Sequence, residues 1–315
     1  MKSFTISKND AGQRVDKFIL KTFPKLPKSL MFKEIRKKNI KVNRKRTDAS
    51  AVLNEGDVIE LYLKDDVLEE KVKHYDFTNA SKKLDILYED ENIILLDKKV
   101  GLLCHPDGNE YVDTLISRVK RYLYEKGEWN PEDSSTFSPS LANRIDRNTG
   151  GIVIAAKNAE ALRILNEKIK SRDIEKFYLT VVHGKMEKES DTLTAFLTKD
   201  TRKNKVTVSE QETDSSKKIV TKYTLLDYQD GNSLLEIDLK TGRTHQIRAH
   251  MAYIGHPLLN DGKYGKEQGR YRQALYSYKL IFHMKDAGIL SYLDGRQFEI
   301  KNCELIQNFK ENKYI

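Results

Sequence analysis

The chain has 315 residues, more than one compact core usually serves, so two domains are expected. Hydrophobic residues make up 38% and charged residues 33%, which excludes a disordered chain, and no apolar run approaches the roughly 18 residues of a membrane span. Only two cysteines occur, Cys104 and Cys303, and the start Met1-Lys2-Ser3-Phe4-Thr5 lacks the apolar stretch of a signal peptide; a disulfide framework is excluded and a reduced, cytoplasmic setting is expected.

The formal net charge is +9, and the excess is localised. From Lys25 to Arg46, ten Lys or Arg residues face a single acid, Glu34. Such a cluster is the electrostatic footprint of a phosphate-backbone binder, with a plain solvated face as the blander reading. Within this region Val15, Phe18 and Ile19 recur at i, i+3, i+4 and predict a helix with Asp16 in its first turn. Pro24 and Pro27 break the chain, and Ser29 is placed to cap a second helix through Ile35 to Lys38. Its exposed face would carry Lys33, Arg36 and Lys37, the candidate phosphate contacts of this region. Ile40 to Asn43 alternates like a strand, as does Asp57 to Tyr62 after the turn at Asn54-Glu55-Gly56. With Arg14-Val15-Asp16-Lys17 at its start and Gly56-Asp57 before its last strand, this arrangement resembles the alpha-L RNA-binding module of the S-four type.

A charged connector runs from Lys64 to about Lys83 and has no core of its own. The expected division is therefore an RNA-binding module over residues 1–75, a linker over 76–83 and a second domain over 84–315. That domain reads as α+β. Its strand-like runs are Ile93 to Leu96, Ile152 to Ala155, Phe177 to Val182 and Leu234 to Leu239. Leu162, Leu165 and Ile169 mark one helix, and Thr244 to Ile254 a second. Lys126 to Ser140 reads as a loop, and Arg202 to Lys218 as a polar hairpin or insertion.

The chemistry centres on Asn143-Arg144-Ile145-Asp146-Arg147-Asn148-Thr149-Gly150-Gly151. An opposite charge within ~4–6 Å favours an ionised carboxylate, so Asp146 between Arg144 and Arg147 suits a nucleophile or base. A surface salt-bridge cluster is the other reading of that stretch alone. Three further stretches bear on it: Asp97-Lys98-Lys99-Val100-Gly101-Leu102-Leu103-Cys104-His105-Pro106, then Lys176-Phe177-Tyr178-Leu179, then Thr241-Gly242-Arg243-Thr244-His245-Gln246-Ile247-Arg248 followed by Asp261-Gly262-Lys263-Tyr264. Their order and content resemble the RluA-type family of pseudouridine synthases over residues 84 to about 283. The resemblance implies a catalytic domain with a mixed, largely antiparallel sheet that isomerises uridine to its C5-glycoside without cofactor or metal.

By that resemblance Asp146 is the catalytic aspartate, acting as nucleophile or as base in an elimination. Arg144 fills the space left by a flipped-out uridine, Tyr178 stacks on the uracil, and Arg147 makes a structural or phosphate contact. Arg243 is expected to pair with Asp146 and hold it ionised, while Thr244 caps the helix after it. Gln246 and Arg248 are expected to serve structure or phosphate contact. His245 and His250 lie five apart, unlike a helical zinc pair, and are read as hydrogen-bonding residues. Cys104 is read as a buried thiol. Three positions depart from the family pattern: Asn143 and Tyr276 where His is frequent, and Gly150 where Ser is common. The expected partner is ribosomal RNA of the large subunit, with transfer RNA second, no membrane, and a monomeric state. Two rivals are a catalytically silent RNA clamp and a glycosidase-like hydrolase using Asp261 as second carboxylate.

Overall fold

The computed structural model describes residues 1–63, 68, 76–132, 136–200, 205–265 and 272–313. The first region contains β1 (Lys2–Thr5), α1 (Val15–Thr22), α2 (Lys28–Arg36), β2 (Ile40–Val42), β3 (Lys45–Arg46) and β4 (Val58–Leu61). Its antiparallel sheet has the order β1-β4-β2-β3. The apolar stripe of α1 does what its spacing implies: Val15, Phe18 and Ile19 are buried with Phe23, Met31, Ile40 and Ile59 in a core of the module's own. Arg14 grips Asp16 through two N–H bonds of 3.1 and 2.6 Å, fixing the start of α1. Lys33, Arg36 and Lys37 are exposed, and Lys37 pairs with Glu34 at 3.4 Å.

Two local expectations fail here. Ser29 does not cap α2: Pro27, with φ fixed at −61°, stands at the cap and the helix begins directly after it. β1 has no counterpart among the expected elements, because four residues with a single large apolar side chain, Phe4, give too short a pattern to read.

The second region contains β5 (Ile86–Glu89), β6 (Ile93–Lys98), α3 (Leu115–Glu125), β7 (Ser140–Leu141), β8 (Gly150–Ala156), α4 (Ala159–Ser171) and β9 (Ile174–His183). It continues with β10 (Ser190–Asp200), β11 (Lys205–Ser209), β12 (Lys217–Gln229), β13 (Asn232–Leu239) and α5 (Gln246–Tyr253), and closes with β14 (Leu275–Phe282), β15 (Gln297–Glu299) and α6 (Glu304–Lys310). One sheet runs β11-β10-β12-β13-β9-β14-β8-β6-β5, with β15 added to β14 and β7 to β8. β14 and β8 run parallel, and the other neighbours are antiparallel. The protein is thus α+β with a mixed, largely antiparallel sheet.

β8 shows why the apolar runs read as strands. Successive residues face opposite sides, so Ile152 and Ile154 pack with Ala161 and Leu165 of α4, while Val153 and Ala155 pack with Leu115 and Val119 of α3. A strand covered on both faces is apolar throughout. Helix α3 was not among the expected elements, although Thr114 caps it by accepting the Ser117 N–H. Of the polar stretch Arg202 to Lys218, residues 202–204 lie outside the described residues; its described part supplies β11, which pairs antiparallel with β10.

Most of the connector lies outside the described residues. Its far end differs from a free linker: Asp76–Asn79 forms a 3₁₀ turn, and Phe77 is buried 5.3 Å from the Trp129 ring in the core beneath α3. One aromatic among polar neighbours leaves no compositional signal, which is why 76–83 reads as linker. The module meets the second region through Thr136, whose N–H donates to Asp10 at 2.9 Å, and Arg163, which donates to the Ala11 carbonyl at 3.0 Å. Among the described residues no helix is long and apolar enough to cross a membrane.

Candidate active site

Asp146 stands on the turn that joins β7 to β8. The turn is pinned at its base, where Ala142 N–H donates to Ile154 O and the Asn143 side chain accepts the Ile154 N–H, both at 2.8 Å. Asn143 thus has a backbone task that its amide oxygen fulfils. On the far side, Gly101 and Arg147 exchange two bonds of 2.9 and 3.0 Å. Between them lies Lys98, fully buried at the end of β6, whose ammonium donates to the carbonyls of Lys99, Leu102 and Arg147 at 2.8–3.0 Å. Burial lowers Lys98 to about 8, and all three of its protons have acceptors. Cys104 is buried too, and its thiol donates to the Ile145 carbonyl at 3.4 Å. Residues on both sides of Asp146 are therefore tied down, and the backbone that carries the carboxylate is held in place.

The guanidinium that meets Asp146 is Arg248. Its Nη1 donates to Asp146 Oδ2 at 3.0 Å, while Nε and Nη2 make a bidentate pair with Asp261 at 2.7 and 2.8 Å. Asp261 is fully buried and also accepts the backbone N–H groups of Lys263 and Tyr264. Burial works against its charge, yet the Arg248 bonds outweigh it and hold the carboxyl below its ordinary range. Arg243, expected in this role, forms no ion pair with Asp146 among the described residues; it is exposed on the lip of the cleft. The reason is local. His245 adopts the left-handed conformation, φ 51°, and turns the chain so that α5 starts at Gln246 and directs Arg248 inward. Thr244 consequently does not cap α5. Gln246 anchors the motif instead, accepting Arg243 N–H and the Thr241 hydroxyl and donating to Val220 O and Thr221 on β12.

Tyr178 lies on β9, the strand between β13 and β14, and lines the same cleft as Asp146. Burial pushes its phenol up to about 12, so it stays neutral at ordinary pH. His250 is a core residue: its Nδ1 lies 2.9 Å from the Thr221 hydroxyl, and burial lowers it to about 4. No group of three or more His, Cys, Asp or Glu residues among those described is placed to hold a metal ion.

The departures at Gly150 and Tyr276 are one feature. They are register partners on the parallel pair β8 and β14, and a Cβ at Gly150 would lie 2.5 Å from Tyr276 Cε2. The tyrosine occupies the space a serine would need, and its hydroxyl donates to Asp97 beside Lys98. Gly151 is constrained differently. Its φ of 109° and a Cβ position 2.1 Å from Ser277 O leave room for no side chain.

Asp146, Arg144, Arg147, Tyr178 and Arg243 all line one open cleft of about 1420 Å³. Among the described residues its walls carry eleven Lys or Arg against four Asp or Glu. Lys33, Arg36 and Lys37 are not part of it; Lys33 and Arg36 lie on α2 of the module and Lys37 caps its C-terminal end. Sequence reading missed three contributors, namely Lys98, Asp261 in its anchoring role, and Tyr264, whose ring lies 5.2 Å from the Arg248 guanidinium.

A family model described as RNA pseudouridylate synthase matches residues 92–253. An uncharacterized RNA pseudouridine synthase of Mycoplasma genitalium is 34% identical over 289 residues, spanning 89% of this chain and 88% of its own. The ribosomal large subunit pseudouridine synthase C of Haemophilus influenzae is 29% identical across 99% of this chain and 96% of its own. Among solved structures, human RNA pseudouridylate synthase domain containing 4 shares the fold with a TM-score of 0.57 at 17% identity, covering 73% of this chain and 93% of that one.

The Gly150–Tyr276 contact makes a prediction about stability. Gly150→Ser alone should cost about 1–3 kcal/mol by overpacking. Adding Tyr276→His should recover part of that loss, giving a coupling visible in a double-mutant cycle by chemical denaturation. Additive effects would show that the two positions do not share one space.

Proposed function

The chain belongs to the RluA-type family of RNA pseudouridylate synthases, and we propose that it isomerises one or a few uridines of large-subunit ribosomal RNA through Asp146. The observation that carries this reading is a carboxylate held by a buried arginine within a cleft of strongly positive walls. Cationic walls suit phosphate backbone, and they concentrate the polyanion where the carboxylate stands. A simple clamp gains nothing from an acid facing phosphates. A hydrolase of the two-carboxylate type needs a second available acid. Asp261 does not offer one, since it is fully buried with both oxygens taken by Arg248.

In the proposed reaction a uridine leaves its stack, at a cost of a few kcal/mol, and enters beside Asp146. Arg144, exposed and lining the same cleft as the carboxylate, takes the vacated space. The N1–C1′ bond breaks and its electron pair stays on the base. Asp146 then either bonds to C1′ or removes the C2′ proton, and the rotated base rejoins the ribose through C5. Tyr178 stacks on the uracil, and its neutral phenol lies near the C5 proton that is lost last. Arg243 on the lip serves as a phosphate contact, with Arg147. Substrate and product are isomers, so no co-reactant is consumed. Lys33 and Arg36 on α2, with Lys37 at its C-cap, contact phosphates of folded RNA away from the target.

Asp146→Asn should reduce pseudouridine formation on the order of 1,000-fold or more. Its affinity for the same RNA by filter binding should stay within about threefold, since binding rests on the cationic walls. Pseudouridine formation at the wild-type rate by this variant would refute the assignment. Removal of residues 1–75 should weaken RNA affinity at least about tenfold and flatten its salt dependence. Unchanged affinity, salt slope and site choice would exclude a role for the module in RNA binding.

A further inference from the structure

His245 lines the cleft and has no role in the reaction proposed above. His245 sits beside Asp146 in a left-handed backbone conformation, φ 51° and ψ 21°, that a residue with a Cβ seldom adopts. Strain of this kind persists where the surroundings enforce it, and it gathers at functional sites. Here the surroundings fix the imidazole as well. Its Nδ1 lies 2.9 Å from the Tyr264 hydroxyl oxygen, and that oxygen already accepts the Val206 N–H at 3.0 Å. The phenol proton is thereby left to donate to Nδ1. The opposite arrangement, Nδ1–H donating to the phenol, would leave the phenol proton without this acceptor. Burial keeps the phenol protonated and favours an uncharged imidazole, against the pull of the Asp146 carboxylate. The arrangement that satisfies both groups has Nδ1 as the acceptor and the hydrogen on Nε2.

His245 lines the cleft, and Nε2 is the ring nitrogen on the Asp146 side. The nearest carboxylate oxygen, Asp146 Oδ2, is 3.7 Å away, beyond hydrogen-bond distance and already engaged by Arg248. A donor at that place fits an acceptor arriving with the substrate. We propose that His245 is a substrate-contacting catalytic residue, a neutral imidazole whose Nε2–H donates to a uracil carbonyl oxygen of the uridine brought to Asp146. This rests on the reading of Asp146 given above. When the N1–C1′ bond breaks, its electron pair remains on the base and the charge spreads onto O2 and O4. A donor positioned in advance stabilises that charge more than the neutral ground state. It also holds the detached uracil in the cleft while C5 is brought to C1′. Tyr264 is the positioning residue that sets the tautomer, and through Val206 it ties the β10–β11 hairpin to the site.

The test uses the full-length protein, an RNA substrate on which the wild type forms pseudouridine, and single-turnover kinetics. His245→Ala should lower the rate about 100-fold, the loss typical of one such donor, with RNA affinity and the melting transition little changed. His245→Gln, whose amide can donate, should recover part of the rate, and Tyr264→Phe should lose less than His245→Ala. A merely structural role would give no advantage to Gln over Ala. ¹⁵N shifts of the His245 ring in the wild type decide the matter independently of any variant's folding: a protonated Nε2 and bare Nδ1 are expected. The reverse tautomer, or a wild-type rate in His245→Ala, would overturn the proposal. A wild type that forms no pseudouridine, or an Asp146→Asn protein that forms it normally, would instead overturn the reading of Asp146.

Discussion

One buried guanidinium organises this candidate active site. Arg248 spends two of its N–H bonds on Asp261, deep in the domain, and a third on Asp146 in the cleft. An arginine is suited to this because its planar fork engages one carboxylate bidentately and still presents a donor to another; lysine has no such geometry. The inner pair makes the outer one rigid. A carboxylate facing a cationic cleft would otherwise be free to swing toward any of the surrounding Lys and Arg side chains. Removing Asp261 would strand a buried charge, an effect of about 3–5 kcal/mol in comparable pairs. The network is therefore as much a positioning device as an electrostatic one.

The sheet explains how distant stretches meet at that guanidinium. β7 and β8 present the Asp146 turn, β9 presents Tyr178, and α5 brings Arg248 from the opposite side. Lys98 at the end of β6 clamps the loop backbone from below, its ammonium binding three carbonyls at once. Tyr264 then links the remaining parts. It stacks near Arg248, bonds to His245 and accepts the Val206 N–H of β11, so one side chain touches both the Asp146–Arg248 cluster and the edge hairpin.

Much of this was legible in the sequence because it is encoded locally. The α1 stripe, the four apolar strands and the Asp146 turn each carry their signal within about a dozen residues. What escaped depends on contacts across the chain or on one unusual backbone angle. Arg243 and Arg248 lie in one motif, and spacing alone does not say which turns inward; the left-handed His245 decides it. Gly150 and Tyr276 looked like two unrelated departures, since nothing local shows that the missing Cβ of one houses the ring of the other. Phe77 looked like linker for the same reason. Asp261 was read as a possible second acid, and its burial beneath Arg248 shows it to be an anchor. Helix α3 does carry a local signal, for Leu115, Ile116, Val119 and Leu123 keep the helical period.

The central claim is that Asp261 acts on the reaction through Arg248, without touching RNA. The most direct measurement is the single-turnover rate of pseudouridine formation by Asp261→Asn, with RNA affinity determined on the same preparation. The account predicts a rate lowered about 100-fold or more with affinity within about threefold, because loss of the anchoring charge frees Arg248 and disorders Asp146 while the cationic walls remain. A folded Asp261→Asn protein that modifies RNA at the wild-type rate would contradict it.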